Sequence, residues 1–139
     1  MSDFTNLNDA LKNLELFWQF FAKHCDAIDG VQKQLEEMGI VKAFEICYEA
    51  MMKSLRRHLV EELAVPELAT GRKTIIRVAN ENGLFRDGGI EQWFKYINAR
   101  SASSHEDSKA RMPAIHALMP DFIDDAISLY QTMSGKSWT

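Results

Sequence analysis

The chain has 139 residues, enough for one domain with a proper core, and its 46% hydrophobic and 26% charged content is ordinary for a globular protein in water. Its net charge of −4 argues against a protein that coats nucleic acid. No stretch is apolar for long enough to cross a membrane, and Met1-Ser-Asp-Phe4 lacks the basic-then-apolar layout of a secretion signal.

Leu7, Leu11, Leu14, Trp18, Phe21, Cys25 and Ile28 recur at steps of four and three, which predicts a first helix of about six turns. Asn6 and Asn8 are candidate caps, and Phe17 and Phe20 widen the apolar face as a bundle or dimer interface requires. Asp29-Gly30 is expected to end this helix. A second helix is expected from about Gln32 to Leu63. Ile40, Phe44, Cys47, Met51, Leu55 and Leu59 lie on one side of it; Glu45, Glu49, Lys53, Arg56 and Arg57 lie on the other. On periodicity alone that second face is a solvated stripe, and Gly39 marks a break or a close contact. Residues 61–70, with Pro66, read as a loop.

Thr70-Gly71-Arg72 opens a third helix that Gly83 closes, Leu84 to Gly89 is a turn, and Ile90 to Ala99 is a fourth helix. Ser108 to Leu118 is helical with a bend expected at Pro113, and Pro120 begins a last helix through Met133. Cys25 and Cys47 have no metal-ligand or redox spacing, so both are expected as reduced core residues of a cytoplasmic protein. His24, His58 and His116 are scattered packing or surface residues, and Tyr48, Tyr96 and Tyr130 read as core-edge residues. With no strand-like alternation, the fold expected is all-α: an up-and-down bundle of five or six helices in a single domain over residues 1–139, the first two helices longest.

The stretch between the fourth and fifth helices, Arg100-Ser-Ala-Ser-Ser-His105-Glu-Asp107, carries the candidate chemistry. Arg is a permanent cation whose fork of donors fits phosphate. His exchanges protons near neutrality. On a regular helix residues five apart diverge by roughly 140°, so the two converge only if the helix breaks here or if two copies of the chain meet. Ser104 with Asp107, and Ser103 with Glu106, are two registers of a capping-box signal for such a break. Taken alone, the pair also fits a solvated helix end. Charge is unevenly spread: residues 1–52 carry −5, residues 53–111 carry +3 and residues 112–139 carry −2, and the cationic segment holds Arg100 and His105. That bias points modestly to an anionic ligand.

The order of these elements resembles the nucleotidyltransferase substrate-binding branch of the HEPN family. The residues that carry it are Phe44-Glu45-x3-Glu49-x3-Lys53-x-Leu55, then Arg72-x3-Ile76 with Asn82-Gly83-Leu84-Phe85, then Trp93-x6-Arg100-x4-His105. The resemblance implies a dimerising helical bundle, encoded beside a minimal nucleotidyltransferase. It further implies a metal-independent RNA-cutting toxin that this partner neutralises, with Arg100 and His105 of both subunits lining a cleft at the dimer interface. No metal and no cofactor are implied. Ser101 stands where the family often has Asn and keeps a hydrogen-bonding group; Met52 replaces a Trp. Asp107 stands where the family often has a Tyr that the partner nucleotidylates, and it offers no phenolic acceptor; Ser103, Ser104 and Ser108 are the neighbouring hydroxyls.

The chemistry so implied uses the RNA's own 2′-hydroxyl against the adjacent phosphate, with His105 as general base or acid and Arg100 holding the growing charge. Glu45, Glu49 and Lys53 are candidates to line the same cleft, the Glu residues orienting Arg or His. Ser101, Ser104 and Asp107 are candidate supporting groups. Two rival readings remain: a non-catalytic subunit that presents substrate to a nucleotidyltransferase, and a helical adaptor dimer.

Overall fold

The computed structural model describes residues 3–65, 71–85, 89–104 and 108–139, and folds them into six α-helices. These are α1 (Thr5–His24), α2 (Gly30–Glu61), α3 (Arg72–Glu81), α4 (Gly89–Ser103), α5 (Ser108–Ala117) and α6 (Met119–Ser134), with a 3₁₀ turn at Cys25–Ala27. The expected all-α class holds, and the first two helices are the longest, at 20 and 32 residues. Among the described residues no strand occurs, and no helix is long and apolar enough to cross a membrane.

α2 is the axis of the molecule, touching every other α-helix. α1 runs antiparallel to it: Arg57 near the end of α2 donates to the Asp3 carbonyl at 3.0 Å, while Glu36 near its start meets His24 at 2.7 Å. The aromatic centre of the core lies where α2, α4 and α6 converge. Phe122 meets Phe44 edge-on with ring centres 4.9 Å apart and Tyr96 at 5.0 Å, and Trp93 meets Tyr96 at 5.1 Å and stacks on Phe85 at 5.5 Å. Edge-to-face aromatic contacts of this kind add to the stabilisation from burial alone.

Several local expectations differ from what forms. α1 stops at His24, so Cys25 and Ile28 are only partly buried while Cys47 is fully buried, its thiol pushed up to about 12 by desolvation. Gly30 does not end α1. It opens α2 with φ +57°, a left-handed geometry that a side chain disfavours. Asn6 and Asn8 sit inside the first turn rather than capping it; Phe4 stands at the cap position, and the Asp3 carboxylate before it accepts the Thr5 amide at 2.9 Å and the Thr5 hydroxyl at 2.6 Å. Asn8 reaches across to the Tyr130 hydroxyl at 3.1 Å. Tyr48, Tyr96 and Tyr130 are buried rather than at the core edge; the Tyr96 hydroxyl satisfies itself on Asp125. α2 continues through Gly39, where a side chain would meet open space and which helps to line a groove with Leu16, Phe17 and Phe20. Pro113 lies within α5, and Gly135 (φ +72°) closes α6, its amide bonding Gln131 O at 2.9 Å.

Not all apolar side chains go inside. Leu16, Phe17 and Phe20 of α1 and Val31, Leu35, Met38 and Ile46 of α2 are exposed, Phe20 at 62% and Val31 at 73%.

Phe122→Ala is expected to cost about 3–5 kcal/mol of stability in urea titrations, because the rings of Phe44, Trp93 and Tyr96 cannot close over the void. His58 is buried near the end of α2, and desolvation lowers its basicity against a weaker opposing pull from Glu62. Below the ordinary value of 6.5 the unfolded chain takes up the proton first, so stability falls as pH drops from there toward the folded-state value. Melting temperatures of wild type and His58→Gln between about pH 7 and 5 should show that loss shrink in the variant.

Candidate functional site

Three helices meet at Arg100. α4 continues through Ser103 and ends there, so the interruption expected in this stretch falls after Arg100, which sits inside regular helix with its guanidinium reaching α2. Arg100 Nη1 donates to Glu45 Oε2 at 3.1 Å and bonds the Ser104 hydroxyl; Ser103 Oγ lies 3.4 Å away. Ser103 Oγ donates to Glu45 Oε2 at 2.6 Å and lies 2.8 Å from the Arg100 carbonyl, the i−3 back-bond of a helical serine. Ser103 is therefore spent inside α4 and does not start the next helix. Glu45 accepts from two donors at one oxygen, a charge-assisted arrangement that fixes the guanidinium.

Glu49, one turn further along α2, lies 3.4 Å from Arg100 Nε at Oε1, and the same oxygen accepts from Arg72 Nη2 at 3.1 Å. Arg72 comes from the first residue of α3, and its guanidinium centre lies 5.9 Å above the ring of Tyr48. Tyr48 is fully buried, and burial pushes its phenol up to about 12 against the smaller pull of Arg72 and Arg100. Two open clefts flank Arg100. One, of about 370 Å³, is lined by Glu45, Ile46, Glu49, Lys53, Arg57 and Arg100 among others; the second, of about 290 Å³, by Arg72, Ile97, Arg100, Ser101 and Ser104.

Of the candidates read from sequence, Arg100, Glu45, Glu49, Lys53, Ser101 and Ser104 thus gather at one place. His105 and Asp107 lie outside the described residues. The solvated-stripe reading of the second helix fails at Glu45 and Glu49, which face α4 and α3. Arg72 carries part of the sequence pattern, but its spacing alone gives it no role; α3 brings it to Glu49 from 23 positions away. The expected scatter of the other histidines holds: His116 is buried between Trp18 and Phe21, 3.0 Å from the Glu37 carbonyl, far from this cluster in its contacts.

A family model for nucleotidyltransferase substrate binding protein like sequences matches residues 2–135. The chain belongs to that family. This is the HEPN branch that the order of motifs from Phe44 to Trp93 and Arg100 implies. A Haemophilus influenzae relative named a probable ribonuclease HepT is 28% identical over 101 residues, spanning 71% of this chain and 68% of the relative. Two solved structures share the fold. A H. influenzae protein, described as having the fold of a substrate binding domain of a nucleotidyltransferase, superposes with a TM-score of 0.84 at 24% identity, over 95% of this chain and 99% of that one. A Thermus thermophilus protein does so with a TM-score of 0.74 at 22% identity, over 91% and 98%. The likeness to both structures extends over nearly the whole helical bundle.

Glu45→Ala leaves the Arg100 charge and the Ser103 hydroxyl without their shared acceptor, and is expected to cost about 1–3 kcal/mol in urea unfolding. Lys53→Ala, on the exposed rim of the same cleft, is expected to change stability by no more than about 0.5 kcal/mol.

Proposed function

We propose that the chain is a metal-independent endoribonuclease that acts in the cytoplasm as a homodimer, the toxin of a two-gene pair neutralised by a minimal nucleotidyltransferase. Residues 1–139 serve as one HEPN-like domain in this reading. The observation that carries it is Arg100, a guanidinium fixed by Glu45 and Ser104 beside two open clefts, five positions before a histidine in the chain. The relative named a probable ribonuclease supports the activity.

The substrate's 2′-hydroxyl oxygen attacks the adjacent phosphorus, and the bond from phosphorus to the next nucleotide's 5′-oxygen breaks. A 2′,3′-cyclic phosphate and a free 5′-hydroxyl result. His105 takes the proton from the attacking hydroxyl or returns one to the departing oxygen, and two paired chains supply one imidazole for each task. Arg100 holds the charge that grows on the phosphoryl oxygens. DNA lacks the nucleophile and is spared. Glu45 positions Arg100; Ser101 and Ser104 offer hydroxyls to phosphate; Lys53 adds positive charge to the rim. Asp107 follows His105 by two positions without a phenol, so neutralisation by the partner rests on docking or on another hydroxyl.

Pairing is supported by the outward stripe of α2. Val31, Leu35, Met38, Lys42, Ile46, Glu49 and Lys53 follow one another at helical spacing, apolar at one end and site-forming at the other. An exposed apolar row of this kind suits a self-complementary contact.

The family description favours a second reading, a non-catalytic subunit that presents substrate to a nucleotidyltransferase. Purified protein is expected to cut single-stranded RNA in excess chelator and leave cyclic phosphate ends. His105→Ala and Arg100→Ala should each slow cleavage by about a hundredfold or more with helicity unchanged. Absence of cleavage, with tight co-purification of a nucleotidyltransferase, decides for the second reading.

A further inference from the structure

The two carboxylates at Arg100 are unlike each other. Glu45 is the more enclosed, its side chain 18% exposed, and it makes aligned bonds to Arg100 and Ser103. Glu49 is 38% exposed and approaches Arg100 Nε only as an ion pair at 3.4 Å; that Nε is buried and has no hydrogen-bond partner. The same Glu49 oxygen takes Arg72 Nη2 at 3.1 Å. One oxygen of this part-exposed side chain therefore sits between guanidinium groups from two different helices, and both arginines line a cleft whose remaining lining is Ile97, Ser101 and Ser104.

An exposed carboxylate in such a place is weakly held. It also suits its neighbours poorly, since it leaves a guanidinium donor unused. A phosphate has more acceptor oxygens and accepts forked bonds from arginine. Arg72 is held from below by the face of Tyr48, so it has a second anchor when Glu49 leaves. We propose that Arg72 and Arg100 form a two-arginine phosphate seat, and that Glu49 is an internal anion filling it until a backbone phosphate of a nucleic acid displaces it. Arg72 is then a substrate-binding residue, and Glu49 sets the affinity threshold for entry. The choice of nucleic acid as ligand rests on the ribonuclease reading above; the seat itself rests on the geometry of Arg72, Glu49 and Arg100.

The test is fluorescence anisotropy with a labelled single-stranded 2′-O-methyl RNA oligonucleotide, a probe with backbone phosphates but no free 2′-hydroxyl, so binding is read without cleavage. Arg72→Ala is expected to weaken binding about tenfold. It should also reduce the steepness of log K against log salt by about 0.7 between about 50 and 200 mM, the signature of one lost phosphate contact on a single strand. Glu49→Gln, which keeps the shape and removes the charge, should tighten binding about tenfold, a gain lost in the Arg72→Ala background. Arg72→Lys should keep the salt slope while losing affinity, because it keeps the charge without the fork. The proposal is overturned if wild type does not bind the oligonucleotide, if Glu49→Gln binds no tighter, or if Arg72→Ala of native helicity keeps the salt slope. The two readings fail separately. Binding in the expected pattern without cleavage of ordinary RNA removes the ribonuclease and leaves the seat; cleavage with binding indifferent to both variants removes the seat and leaves the ribonuclease.

Discussion

One ion pair, Arg100 on Glu45, ties α4 to the central helix and decides where the positive charge of this protein is presented. Its two partners are mostly enclosed, with the Ser103 hydroxyl completing the carboxylate's shell. A charge buried to that extent is tolerable only when paired and hydrogen-bonded. The pair therefore does two things at once. It removes an electrostatic penalty from the α2–α4 contact, and it restrains a long flexible side chain to one rotamer family beside open solvent.

The aromatic core acts one layer below. Phe44, Trp93, Tyr96 and Phe122 lock α4 and α6 onto the same side of α2, and Phe44 is the immediate neighbour of Glu45 along α2. The register that buries Phe44 turns Glu45 toward α4, and one turn later the burial of Tyr48 turns Glu49 toward Arg72. Packing and charge placement are thus consequences of the same helical phase. A one-residue change of phase in α2 would either carry Glu45 and Glu49 into the buried positions of Phe44 and Tyr48 or turn those rings toward the surface, so the placement of the acidic pair is tied to that of the core.

Against this rigid layer stands an outer face with little to hold it. Leu16, Phe17, Phe20, Val31, Leu35 and Met38 leave apolar surface open along α1 and the first third of α2. In the proposed homodimer this surface supplies the attraction, and Ile46 and Glu49 continue the α2 row toward the site.

Periodicity alone determined that the chain is helical, that its first two helices are longest, and that Leu7, Leu11, Leu14, Phe44, Met51, Leu55 and Leu59 are core, because a repeat of 3.6 residues is a local property that burial obeys. The order of motifs that places Arg100 downstream of a Glu45–Glu49 helix was legible as a resemblance to a known family, and the family model matches residues 2–135. The partnerships were not. Whether Glu45 faces water or Arg100 depends on where α4 crosses α2, and whether Arg72 matters depends on α3 lying over Tyr48; the partners are 55 and 23 positions apart, and no spacing rule reaches that far. Helix ends were the other blind spot: α1 stops at His24 although its apolar repeat runs to Ile28, and α4 runs on past Ala99 because Ser103 and Arg100 find acceptors on a neighbouring helix. Local pattern decides which residues want burial or charge; only the tertiary crossing decides which charges meet.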